Sequence, residues 1–150
     1  MLEKITHDNE LLAIILRDGF VGGGVTFLTP DDLSQQLAHM RHPRGKVIEP
    51  HVHNLVQHSI TYTQEVLIIK QGSLRVDFYD RDRAYLHSRI LNKGDVILLA
   101  AGGHGFQALD DLEMIEVKQG PYTGEGQKTR FAGVADGSIR LVHQTPADGR

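Results

Sequence analysis

Along most of the chain, apolar positions come in short runs separated by glycine-bearing turns. Residues 11–16 and 96–101 are continuous apolar stretches, and residues 64–70 are rich in Val and Ile and end at Gln71-Gly72-Ser73. Residues 74–79 alternate, with Leu74, Val76 and Phe78 opposite Arg75, Asp77 and Tyr79, the pattern of a strand with one wet face. Asn92-Lys93-Gly94-Asp95 reads as a turn into a strand at 96–99, and residues 112–118 read as a further strand ending at Gly120-Pro121. Short strands with regular turn signals predict an all-β sandwich or barrel.

One stretch departs from this pattern. Thr29-Pro30-Asp31-Asp32 carries helix-start signals: a capping Thr, a Pro at the first helical position and acids in the first turn. Leu33 and Leu37 follow four apart, so a short N-terminal helix of one to three turns is expected here, while residues 36–42 read equally well as a strand. The chain is read as a single domain over 1–150, with a core at about 36–120, N-terminal strands within 10–28 and a peripheral tail at 121–150. A short strand at 139–143 and a frayed end are expected in that tail.

Composition narrows the chemistry. The chain has no cysteine, which removes disulfides, zinc ribbons and thiol catalysis. Sixteen Lys and Arg against 19 Asp and Glu give a net charge of −3. The basic stretch Arg41-His42-Pro43-Arg44-Gly45-Lys46 is short and broken, so it reads as a solvated turn, and no nucleic-acid partner is expected. No apolar run approaches the roughly 20 residues of a membrane span. Residues 1–10 lack the apolar stretch of a secretory signal, so no membrane association and a cytoplasmic location are expected. The Gly22-Gly23-Gly24 run lacks the Lys-Ser/Thr of a phosphate loop, and there is no G-x-S-x-G elbow.

Residues 50–58 read PHVHNLVQH. On a strand, His51 and His53 project from one face, so their imidazoles can serve one ion as two neighbouring ligands; exposed polar residues on an edge strand give the same pattern. Five residues separate Gly45 from His51, and six separate Glu65 from Gly72. A second segment, Gly94-Asp95-Val96-Ile97-Leu98-Leu99-Ala100-Ala101-Gly102-Gly103-His104, is a turn, an apolar strand, a glycine-rich bend and another histidine.

These two segments resemble the motifs of the cupin superfamily. Gly45, His51, His53, Glu65 and Gly72 stand in the order of its first motif, and Gly94, Gly102 and His104 fill part of its second, within residues 43–120. The sequence departs from the family pattern in three ways. Eleven residues separate His53 from Glu65, Ala100 stands in the usual place of Pro, and His104 comes one residue early with no later Asn. His58 occupies the family's usual Glu slot by spacing and is the rival to Glu65.

The resemblance implies a double-stranded β-helix, or jelly-roll, barrel. It also implies a metal centre of His51, His53, Glu65 and His104 holding one divalent transition metal ion. An N/O set without thiolate suits Fe, Mn, Ni, Zn or Cu alike. Strand parity places Leu67 and Ile69 on the face of Glu65, giving an apolar interior below a polar mouth that fits a small molecule. Phe106 shares parity with His104 and is a candidate pocket-lining residue. Glu116 and Lys118 alternate on one face of a strand, and Tyr62 and His58 lie in the long spacer as candidate proton donors; no residue is assigned as catalytic.

The functional expectation is a metal-dependent enzyme acting on a small polar, sugar-like or carbonyl compound, by isomerisation or epimerisation or by oxygen-dependent oxidation. The alternatives are a metal-bearing binding module without turnover and a metal-free barrel with structural histidines. A homodimer is expected from the family's habit of pairing through edge strands.

Overall fold

The computed structural model describes residues 1–143. Ten strands follow in order: β1 (Leu2–His7), β2 (Glu10–Leu16), β3 (Gly24–Phe27), β4 (Ala38–Arg41), β5 (Glu65–Gln71), β6 (Ser73–Tyr79), β7 (Tyr85–Asn92), β8 (Val96–Leu99), β9 (Gly103–Ala108) and β10 (Glu113–Lys118). Two single turns of 3-10 helix, Glu125–Gln127 and Asp136–Ser138, complete the regular structure. The fold is thus nearly all-β, and every strand pair is antiparallel. The strands form a five-stranded sheet in the order β1-β2-β8-β5-β10, a three-stranded sheet β7-β6-β9 and a separate pair β3-β4; no sheet closes on itself.

The main core lies between the two larger sheets. Leu12 and Ile15 from β2, Leu67 and Ile69 from β5, and Ile97 and Leu99 from β8 meet Leu74, Val76 and Phe78 of β6 and Leu91 of β7. Burying each such side chain stabilises the fold by about 1.5–3 kcal/mol before entropy is counted. A second cluster covers the other face of the five-stranded sheet, where Val66, Leu98 and Ala100 lie under Leu33 and Leu37. Strands β5 and β8 are therefore apolar on both faces, which is why their sequences run unbroken rather than alternate.

Residues 29–37 form turns, with no helix, despite their start signals. Their side chains bond the loop to itself instead. Thr29 Oγ1 donates to Gln36 Oε1 at 2.6 Å and accepts from Leu37 N at 3.3 Å. Gln36 Nε2 donates to the carbonyls of Pro30 and Leu33, both at 2.9 Å. Such local side-chain bonds compete with a helical ladder. The alternative strand reading is realised at β4.

The alternating face of β6 is not wet. Tyr79 and Asp77 are 3% and 5% exposed, because the chain after Gly120 returns across the outside of the three-stranded sheet. Phe131 meets the Tyr79 ring edge-on at 5.1 Å, and Val134 N donates to Tyr79 Oη at 2.9 Å. Farther along, Ser88 N donates to Arg140 O at 2.9 Å and Val142 N to Ser88 O at 3.1 Å. The strand expected at 139–143 is reduced to one parallel bridge between Leu141 and Ser88. This tail is a structural cover rather than a peripheral appendage; the frayed end expected beyond it lies outside the described residues.

Arg17 clasps the two sheets together. Its guanidinium donates to Glu3 Oε1 at 2.7 Å, to Asp95 Oδ2 at 2.8 Å and to the Ile90 carbonyl at 2.7 Å. The carboxylates of Glu3 and Asp95 are almost wholly buried. Asp95 also accepts from the backbone N–H of Asp18 at 2.8 Å and of Asn92 at 2.9 Å.

A candidate acid–base site at the open edge between the sheets

Glu65 opens β5 opposite Leu99 of β8 and Lys118 of β10. Period-two alternation sets it on the inner face with Leu67 and Ile69. His104 lies on β9 opposite Phe78, and Phe106 lies opposite Val76, so both share the inner face of the other sheet. Two strands from different sheets thereby bring Glu65 and His104 together, with Nε2 3.2 Å from Oε2. The Phe106 ring lies 5.1 Å from that of His104 at 31°.

Among the described residues, β9 and β10 each have one unpaired edge, so the space between the sheets opens there. Lys118 and Glu116 stand at this opening. Lys118 Nζ is 2.6 Å from Glu116 Oε1 and 3.8 Å from Glu65 Oε1. The hydrogen bond from His104 holds the Glu65 carboxyl below its usual range; burial opposes this, and the fields of His104, Lys118 and Lys128 add to it. Glu65 is therefore a standing carboxylate at neutral pH. It occupies His104 Nε2 and leaves Nδ1 as the atom able to take or give a proton.

The start of β5 is pinned from outside the site. Gln64 N donates to Gln119 Oε1 at 2.7 Å, and Gln64 Oε1 accepts from Gln35 N at 3.0 Å. Gln64 thus sets where Glu65 begins its strand. Gln107 is exposed on β9.

His51 and His53 lie elsewhere, in a stretch without regular structure between β4 and β5, and both are exposed. Their rings are 5.3 Å apart, and His51 Nδ1 donates to the Glu49 carbonyl at 2.9 Å. His58 is also exposed. Among the described residues, no three of His, Cys, Asp or Glu are arranged to hold a metal ion. The four-ligand set implied by resemblance is thus present as two separate pairs and does not fit one ion in this conformation. The stretch carrying the two histidines pairs with no other strand, so no ladder fixes its place over the mouth.

Sequence reasoning missed the tail's part in this region. Lys128 adds to the field at Glu65, and Lys128, Thr129, Arg130 and Phe131 border a cavity against β9. The signal for that cavity was the spacing of Gly103 and Gly105, which strips alternate side chains from one face of the strand. No family model, no curated protein and no solved structure matches this chain.

Proposed function

We propose that this chain binds a small polar carbonyl compound at the mouth between β9 and β10 and moves a proton on it, as an isomerase or epimerase does. The observation that carries this reading is the Glu65–His104 pair at 3.2 Å, set above an apolar interior with Lys118 beside it. In this reading, His104 Nδ1 takes the proton next to the substrate carbonyl. The Glu65 carboxylate orients the ring and stabilises the imidazolium so formed, and the Lys118 ammonium faces the negative charge developing on oxygen. Return of the proton to the other face or the neighbouring carbon gives the epimer or isomer. A module that binds such a compound without turnover is the alternative.

The test is exchange of the proton next to the carbonyl of keto-sugars and diketones in D2O, followed by NMR. General acid–base catalysis typically contributes about 100- to 10,000-fold, and a loss of that order is expected in His104→Gln. In Glu65→Gln, kcat falls while KM holds, because Glu65 acts through His104. Exchange that survives His104→Gln undiminished removes the proposal.

A second, metal-loaded reading is favoured by the closeness of the His51 and His53 rings. In it, the stretch between β4 and β5 folds over the mouth, and His51, His53, Glu65 and His104 together hold one divalent transition metal ion, which would supply Lewis acidity. An ion bound only by the native chain at a hundred times its Kd adds about 2.7 kcal/mol. The expected result is a rise in Tm of several degrees with at least one of Fe, Mn, Ni, Zn or Cu, absent in His51→Ala. No shift with any of the five removes this reading.

The jelly-roll barrel implied by the cupin resemblance belongs to the same proposal. Two facing antiparallel sheets support it, and a covering strand at the open edge would complete it. Val47, Ile48, Val52, Leu55 and Val56, between β4 and β5, are exposed apolar side chains that a second copy of the chain would cover, in keeping with a homodimer. The cysteine-free composition suits a reducing cytoplasm, and no helix among the described residues is long and apolar enough to cross a membrane.

A further inference from the structure

Alternation along β9 sends His104 and Phe106 inward and Gly103 and Gly105 outward, opposite Tyr79 and Asp77 of β6. On β6 and β7 the returning tail covers this outer face. Beside Gly105, with Gly103 and His104 also on its border, it leaves a cavity of about 390 Å³, within the usual size of a small-molecule pocket. The floor is bare strand backbone, the walls include Tyr79 and Phe131, and Lys128 stands at the border. The cavity continues past Phe131 toward Arg83, whose guanidinium lies over the Phe131 ring at 5.8 Å.

The glycines differ in what they permit. A methyl group at Gly103 would come within 3.1 Å of Phe131 and Tyr79. At Gly105 the nearest atom would be 3.7 Å away, an ordinary contact, and the backbone there is not left-handed. Folding therefore does not require glycine at 105; its effect is to leave space. Glycine within a strand often marks close approach of a ligand. The carboxylate nearest this floor, Asp77, accepts from Arg75 at 2.9 and 3.1 Å and from Ser88. Its charge is met within the protein by Arg75, so it does not neutralise Lys128 at the border.

We propose that this outer-face cavity binds a small anion carrying a flat ring: the ring lies against the backbone at Gly105, beside the Tyr79–Phe131 pair, and its carboxylate or phosphate meets Lys128. Flat backbone and aromatic edges suit a ring, and a flexible ammonium suits either headgroup. His104 also borders this cavity and Lys128 adds to the field at Glu65, so the site adjoins the Glu65–His104 pair across β9; binding there does not require turnover at that pair.

The test uses the whole chain, with benzoate and phenyl phosphate as probes and benzyl alcohol as the neutral control. Saturable NMR shifts are expected at the Gly103 and Gly105 amides with either anion, and the tighter one identifies the headgroup. Gly105→Val should abolish them with Tm unchanged or raised, since a β-branched residue suits a strand and the space is there. Lys128→Gln, a change at the cavity border that keeps the test valid if the valine variant folds poorly, should weaken binding about tenfold. Absence of saturable shifts with both anions, equal affinity for benzyl alcohol, or binding indifferent to Lys128→Gln would overturn the proposal.

Discussion

Replacing Arg17 with Met is expected to destabilise the protein by about 3 kcal/mol, the low end of what breaking a buried ion pair costs. The substitution keeps much of the apolar stem and removes every donor from a site where Glu3 and Asp95 have side chains only 3% and 6% exposed. Both carboxylates keep some support, Glu3 from Arg89 at 3.1 Å and Asp95 from two backbone N–H groups, which holds the cost at the low end. Arg17 also ties β1 and the entry to β8, in one sheet, to the Ile90 carbonyl of β7 in the other. At about 2–4 °C per kcal/mol for a domain of this size, Tm should fall by roughly 10 °C. Denaturant unfolding should show a lower midpoint with an unchanged slope. Arg81→Ala is the control. Arg81 pairs with Glu10 at an exposed position, where water and salt already screen the charges, and little change is expected. Equal losses in the two variants would remove the distinction between a buried clasp and a surface pair.

How far the sequence reveals this fold depends on whether local pattern and tertiary surroundings agree. Residues 11–16 and 96–99 are apolar on both faces and need only a sheet with cover on each side, so their strands are legible directly. Glu65 sharing parity with Leu67 and Ile69 correctly places it inward, and the same reasoning sets Phe106 beside His104. At residues 29–37 the helix signals are real but local, and Gln36 diverts them by satisfying the backbone of a closed loop. The outer face of β6 reads as wet because its cover comes from Phe131 and Val134, more than fifty residues later, in a tail whose composition carries no periodicity. His51 and His53 illustrate the same limit. Their spacing shows that they stand together, but only strand pairing would say where, and in this structure they have none.

Gly72→Ala should be far more damaging than Gly45→Ala. Both sit in left-handed backbone, with φ of 76° and 84°. Forcing an L-residue there costs about 1–2 kcal/mol in either case. At Gly45 that is the whole effect, because an added Cβ meets nothing within 4 Å. At Gly72 the Cβ would lie 2.3 Å from the Asp111 carbonyl oxygen and 3.2 Å from the Leu112 Cα, both backbone atoms, so the chain leading into β10 must move. The combined cost is expected to reach about 3 kcal/mol or more, against about 1 kcal/mol at Gly45. The position of Gly72 also links stability to the site. Between Gln71, paired to β10, and Ser73, paired to β7, the chain leaves one sheet for the other. That corner holds β5, which carries Glu65, against β6, whose Phe78 pairs with His104. Gly72→Ala should therefore lower Tm by several degrees more than Gly45→Ala and also shift the His104 ring signals in NMR, whereas Gly45→Ala leaves them in place. Equal melting temperatures, or an unmoved His104 in Gly72→Ala, would show that this corner does not set the distance between the two sheets.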